Sequence, residues 1–252
     1  GDILYIETEK VADEKEVKSL IRFDETRKRE VLLKEGELDR NDKRTVKIFP
    51  ADINSSGSAV LKVEFAGDSE GKNKSNIRVI HKDGGADTIA IDVNTSPNSL
   101  FLKFHNKPTI SENIYVAFAA TITSGKKGVF LYKDGKVKTV ALEGQGQLED
   151  LQVDFAPVVN RNGLVAFRGM KKDRKNAIFV GGWDDFQAVV EQGDRVETDL
   201  GQAKISEVSE NPGFIGGIDF NSRDELLFHC ALEDSKNDKQ LEFGTAVYKM
   251  SY

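Results

Sequence analysis

Three aspartates stand where the chain could do acid–base or nucleophilic work: Asp52, Asp154 and Asp219. Each lies in or beside a short apolar segment that recurs along the sequence. Two carboxyl groups flanking a glycosidic bond can act as acid, base or nucleophile, about 5–5.5 Å apart for retention and about 6.5–9.5 Å apart for inversion. The three do not share one register in the repeats, so turn capping and the lining of a solvated channel are their simpler roles. His81, His105 and His229 fall in different repeats and lack the spacing of a shared metal site. The run Asp219-Phe220-Asn221-Ser222-Arg223-Asp224-Glu225 carries the hard oxygens that calcium takes. It lacks the glycine and the bidentate glutamate of an EF-hand loop, and Asn and Asp bonding their own backbone in a turn explain it. No metal or other cofactor is expected, calcium at this cluster being the alternative. The single cysteine, Cys230, reads as a small buried hydrophobe, and alone it can form no intrachain disulfide. Trp183 reads as a packed hairpin corner, with a sugar-stacking platform as the sharper alternative. No nucleophile elbow, phosphate loop or Cys-x-x-Cys pair is present.

The elements that would position these groups are repeats. Asn160-Arg161-Asn162-Gly163-Leu164-Val165-Ala166-Phe167 is a polar turn followed by an apolar strand. Copies begin at Asn54, Ser111 and Asn221, and Gly1-Asp2-Ile3-Leu4-Tyr5 matches the tail of a fifth. A second apolar run follows each copy, as in Gly128-Val129-Phe130-Leu131-Tyr132 and Ala177-Ile178-Phe179-Val180. A third follows that, as in Thr139-Val140-Ala141-Leu142. Lys82-Asp83-Gly84 and Lys133-Asp134-Gly135 join second to third, and Asp-Gly supplies the positive φ of a tight hairpin. Runs of four to six residues rich in β-branched and aromatic side chains are strand chemistry. Only Asp13 to Leu20 invites one or two helical turns.

Units of about 50 residues with four antiparallel strands mark propeller blades. The expected fold is all-β and β-propeller-like, a single domain of about five blades over 1–45, 46–99, 100–150, 151–210 and 211–252. An open β-stack or sandwich is the alternative. The first unit lacks its first strand and the last lacks its fourth. Either Ile3 to Ile6 pairs with the last blade, or sequence upstream of Gly1 has been lost. The first-to-second and third-to-fourth links are short and share one face. The others are longer, among them Thr121 to Lys127, Met170 to Asn176 and Gln192 to Gly213. Binding residues concentrate on loops held by a rigid scaffold, which points to the longest loop and to Arg195, Glu197 and Asp199 within it.

The pattern Pro-x-Ile-Asn-x-x-Gly-x-Val-Ala-Phe, then Gly-Ile-Phe, then Val-Val-x-x-Gly-Asp, resembles a group of bacterial repeat proteins without assigned activity. The match is best over 155–194 and fair over 108–144. The resemblance implies a β-propeller-like fold, no catalytic residue, and an exported protein, whether secreted, periplasmic or on the cell surface.

Composition narrows the function. The 252 residues carry a net charge of −6 with acids and bases interspersed, whereas nucleic-acid binding wants a basic stripe. The lysine-rich stretches Lys72-Asn73-Lys74 and Lys171-Lys172-Asp173-Arg174-Lys175 are diluted by acids, as in a solvated surface. No run of about 18 apolar residues offers a membrane span. The sequence therefore points to a non-enzymatic binding or scaffold module that engages a protein or glycan through the long-loop face. The alternative is a carbohydrate-active enzyme using the three aspartates.

Overall fold

The computed structural model describes residues 2–11, 15–39, 43–67, 71–183, 185–199, 201–207, 213–221, 223–234 and 242–251. Among the described residues twenty-two strands form five antiparallel sheets. Sheet one holds β1 (Ile3–Lys10), β2 (Glu16–Phe23) and β3 (Arg29–Lys34). Sheet two holds β4 (Thr45–Ile53), β5 (Ala59–Phe65), β6 (Lys74–Ile80) and β7 (Ala86–Ile91) in that order. Sheet three holds β8 (Phe101–Phe104), β9 (Thr109–Ile110), β10 (Val116–Ile122), β11 (Lys127–Lys133) and β12 (Lys136–Leu142). Sheet four holds β13 (Leu148–Leu151), β14 (Val158–Val159), β15 (Val165–Lys171), β16 (Asn176–Gly181) and β17 (Phe186–Glu191). Sheet five holds β18 (Arg195–Thr198), β19 (Gly201–Ile205), β20 (Phe214–Phe220), β21 (Leu226–Asp234) and β22 (Glu242–Met250). This is an all-β, propeller-like architecture of repeated four-stranded units.

The inner strand of a unit is one bulged strand in sheets two and five, with the bulge between Ile48 and Ala51 in β4 and between Phe214 and Ile218 in β20. In sheets three and four it splits into β8/β9 and β13/β14, both lying along one edge of the next strand. Pro50 sits in the β4 bulge, and Pro108 and Pro157 precede β9 and β14. Proline has no N–H to give a ladder, so pairing breaks there. The turn after the inner strand is the same in all four copies. Asn54, Ser111, Asn160 and Asn221 each donate N–H to the carbonyl four residues on, at 2.9–3.0 Å. Each side-chain oxygen accepts the N–H of that same residue, at 2.9–3.1 Å. The fourth turn residue is left-handed in every case: Gly57, Ile114, Gly163 and Asp224 have φ of +82°, +58°, +83° and +60°. At Gly163 an added Cβ would also stand 2.8 Å from Tyr115 Cε1. Gly163→Ala is therefore expected to cost about 1–2 kcal/mol. Gly135 has a positive φ but nothing within 4 Å of an added Cβ, so Gly135→Ala should cost only the smaller, backbone part. Urea unfolding of the two variants checks the order.

Neighbouring sheets are joined by apolar side chains. The core between sheets two and three includes Val60, Ile77, Phe104, Phe118 and Phe130, and that between three and four Leu131, Leu148, Phe167 and Phe179. Ile48, Phe104, Leu151 and Phe214 occupy one position of the repeat, paired with Val63, Ala120, Gly169 and Cys230. All four are 2% exposed. Burying one such side chain contributes roughly 1.5–3 kcal/mol. Cys230 is buried beside them, and desolvation pushes its thiol up to about 11.

The structure corrects several expectations. Glu16 to Leu20 belongs to β2, not a helix, and 12–14 lie outside the described residues. The continuous burial of Ser19 to Arg22 in β2, between β1 and β3, overrides the local charge pattern. Ile3 to Ile6 pairs with β2 and not with the last sheet. The links Thr121 to Lys127 and Met170 to Asn176 are not long. Their strands run on to Ile122 and Lys171, and each closes with a hydrogen-bonded turn like those at the opposite end. Gln192 to Gly213 is not an open loop in its described part. Arg195–Thr198 and Gly201–Ile205 form a hairpin that pairs with β21, and so belong to sheet five. Residues 200 and 208–212 lie outside the described residues.

Candidate functional site

The inner strands end at one level. Asp52 pairs with Val60, Thr109 with Ala117, Val158 with Ala166 and Asp219 with Leu227. Each lies two residues before the first residue of its turn. Asp52 and Asp219 therefore do share a register, contrary to the sequence expectation; Asp154, six residues before Asn160, does not. Together the four strand ends and their turns enclose a cavity of about 690 Å³, whose lining includes Asp52, Lys107, Phe155, Asp219 and Phe220. Two of the three candidate aspartates meet there. Asp154 does not line it, and its backbone carbonyl accepts from Asn106 Nδ2 at 2.6 Å.

The two carboxyls live in different surroundings. Asp52 Oδ2 accepts the Ile110 N–H at 3.0 Å, and Oδ1 faces Lys107 Nζ at 3.4 Å. Among the described residues Asp219 accepts only the Phe220 N–H, at 2.8 Å. Solvent reaches Asp219, yet the channel wall displaces enough water that desolvation raises its pKa. The negative charge of Asp52 raises it further, and the Phe220 N–H and Lys107 oppose the shift. Asp219 thus holds its proton more tightly than a free aspartate, while Asp52 is engaged by Ile110 and Lys107.

The rim is stitched from turn to turn. Asn54 Nδ2 donates to the Ser111 carbonyl at 3.0 Å, and the Ser55 N–H to Glu112 at 3.0 Å. Asn113 Nδ2 donates to the Arg161 carbonyl at 2.8 Å. Arg161 Nε and Asn162 Nδ2 reach Asp224 at 2.8 and 3.0 Å. Behind the rim, two cations bind sheet to sheet at one register. Lys62 Nζ lies 3.5 Å from the Phe49 ring centroid and donates to the Phe104 carbonyl at 3.4 Å. Arg168 stacks 3.6 Å from the Phe155 centroid and donates to the carbonyls of Phe214 and, at 2.9 Å, Gly216. Burial lowers the pKa of both, that of Arg168 to about 10. Phe155 thus has its ring backed by Arg168 while it lines the cavity.

The remaining candidates lie elsewhere. Arg195, Glu197 and Asp199 are exposed on β18 and the turn after it, and do not line the cavity. Glu197 accepts from Gln202 Nε2 at 2.8 Å. His105 Nε2 sits 2.7 Å from Thr121 Oγ1, and burial with Lys103, Lys62 and Lys127 lowers its pKa. His81 faces Asp87 at 2.9 Å in another sheet. In the segment considered for calcium, Glu225 is held by Asn221 Nδ2 at 2.6 Å and Lys249 at 3.0 Å, and Asp224 by Arg161; Ser222 lies outside the described residues. Among the described residues no three His, Cys, Asp or Glu side chains are grouped to hold a metal ion. Trp183 packs beside the core between sheets three and four, with Lys138 Nζ 4.2 Å from its ring centroid; Asp184 lies outside the described residues. Lys171 pairs with Glu191, and Lys175 with Glu207 at 3.2 Å, which neutralises that basic run. No described helix is long and apolar enough to cross a membrane.

The residues missed from sequence are Lys107, Phe155 and Phe220. They stand four, five and one residues before the first residues of their turns, so no common spacing marks them.

A family described as "Family of unknown function (DUF7453)" matches residues 49–248. The chain belongs to that family. The match to DUF7453 opens inside β4 and closes inside β22, so it spans the four sheets that build the cavity. Among solved structures the chain is similar to the WD40 domain of SCAP from fission yeast. That similarity has 9% identity and a TM-score of 0.26, covering 92% of this chain and 72% of the other. The fold assignment rests on the strand pairing itself. No curated protein matches.

Proposed function

We propose that this protein is a non-enzymatic binding module that holds a glycan at the channel mouth. The observation that supports it is the convergence of Asp52, Asp219, Phe155 and Phe220 on one cavity of about 690 Å³. Carboxylates accept hydroxyl protons, and aromatic faces cover the apolar C–H faces of a sugar ring. The rim is tied from turn to turn, so little ordering cost falls on the protein when ligand enters. Among the described residues the face at the other end has fewer projecting loops than the sequence promised, which supports the cavity over that face as the site.

An oligosaccharide array tests this. The wild type should retain at least one oligosaccharide, and Asp52→Ala and Asp219→Ala should each weaken its binding by about tenfold or more, about 1.4 kcal/mol. Retention unchanged in both variants, or no retention by the wild type, refutes it.

A second reading is favoured by the contrast between the two carboxyls. Asp219, its pKa raised by desolvation, and Asp52, bonded to Ile110 and Lys107 in the same cavity, offer the two carboxyls that glycoside hydrolysis uses. Release of nitrophenol from a panel of nitrophenyl glycosides, abolished in Asp52→Asn and in Asp219→Asn, would support hydrolysis over binding alone.

A further inference from the structure

The cavity at the strand ends carries more negative than positive charge. Its lining holds four carboxyl groups, on Asp52, Glu112, Asp219 and Asp224, and two cations, on Lys107 and Arg161. Both cations are already engaged. Arg161 Nε pairs with Asp224 at 2.8 Å, and Lys107 Nζ faces Asp52 at 3.4 Å. Among the described residues the other two carboxyl groups bond only neutral donors. Glu112 accepts from the N–H and the hydroxyl of Ser55, and Asp219 from the Phe220 N–H. Lys107 acts on Asp219 only at longer range, and the charge of Asp52 repels it.

The two uncompensated groups differ in their need of a partner. Glu112 belongs to a turn, where it is exposed and ties the rim. Asp219 stands on the strand end, where the cavity wall strips water from it. A charge poorly served by water gains more from an opposite charge than one in open solvent. Phe220 follows it in sequence and lines the same cavity, and the face of an aromatic ring attracts a cation. Both features favour an ammonium group. A uronate or a sulfate ester placed here would instead add to the uncompensated negative charge.

We infer that the glycan held at this site is an oligosaccharide of amino sugars with free amino groups, one ammonium seated at Asp219 and Phe220. The inference rests on the glycan reading above and narrows it to one class. An N-acetylated sugar keeps the same ring and the same C–H faces and lacks only the charge. Comparing the two forms therefore separates this inference from sugar binding in general.

The probes are a glucosamine tetramer with its amines protonated, an N-acetylglucosamine tetramer, a galacturonate tetramer and a lysine tetrapeptide, each titrated calorimetrically into the intact protein. The glucosamine tetramer should bind about tenfold or more tighter than the acetylated one, and the galacturonate tetramer more weakly than either. Asp219→Asn, which keeps the shape and removes the charge, should erase the preference for the amino form. Glu149→Gln, at an exposed acid outside the cavity, should retain it. Equal binding of the amino and acetylated tetramers overturns the inference and leaves the glycan reading standing. So does a preference that survives in Asp219→Asn or vanishes in Glu149→Gln. A lysine tetrapeptide that binds as tightly as the glucosamine tetramer also overturns it, because the occupant would then be a basic peptide. Absence of binding by every oligosaccharide, on the array as in solution, removes the glycan reading and this inference together.

Discussion

Asp39→Ala is expected to lower stability by about 3–5 kcal/mol, because it strands a buried guanidinium. Arg78 is 3% exposed in its side chain and Asp39 2%, and the two are in direct contact. Arg78 also lies 4.2 Å from the Phe65 ring centroid, with no hydrogen-bond partner at Nε. Asp39 further accepts the Lys43 N–H at 2.8 Å. Removing the carboxylate leaves the guanidinium desolvated against the Phe65 ring. Asp39→Asn keeps the shape and some hydrogen bonding, and should cost less. The double variant Asp39→Leu/Arg78→Met should recover most of the loss, since an apolar pair can replace a buried ion pair at little cost. Urea midpoints with unchanged slopes measure all three. A loss below about 1 kcal/mol for Asp39→Ala would show that the pair is hydrated in solution.

Arg168→Ala is expected to cost about 3 kcal/mol, from the loss of bonds to the buried Phe214 carbonyl and the half-buried Gly216 carbonyl and the space left against Phe155. The residue ties sheet four to the bulged stretch of β20 between Phe214 and Ile218. Lys62→Met, at the same register, should cost about 1 kcal/mol or less, because its bond to Phe104 is long and Met still covers Phe49. Because Phe155 faces the cavity, Arg168→Ala should also weaken any ligand held there, whereas Lys62→Met should not. Equal effects of the two on stability would deny the difference drawn from their geometry.

Much of the fold was legible because the turns are chemically explicit. Asn at the first turn position bonds its own backbone, and a residue able to take positive φ stands fourth. Ile114 hid one copy by taking that conformation without being glycine. The hairpin β18–β19 was not legible. Its strands are short and polar, and their pairing with β21 depends on partners about 30 residues away. The lysine-rich links misled for a related reason. Lys171 ends β15 and Lys127 opens β11, and their ammonium groups find Glu191 in the same sheet and Asp150 in the next one. At the site, Asp52 and Asp219 were nominated by residue type, but their common level in the channel appears only when each is counted back from its turn. Asp154 failed because the break at Pro157 separates it from the aligned strand end.

The decisive measurement is the location of a bound oligosaccharide. Amide NMR spectra of the intact protein, titrated with the oligosaccharide retained on the array, should shift first at Asp52, Ile110, Phe155, Asp219 and Phe220. Shifts confined to Arg195–Thr198 or to the turns at 123–126 and 172–175, with the channel residues unmoved, would contradict a site at the channel mouth.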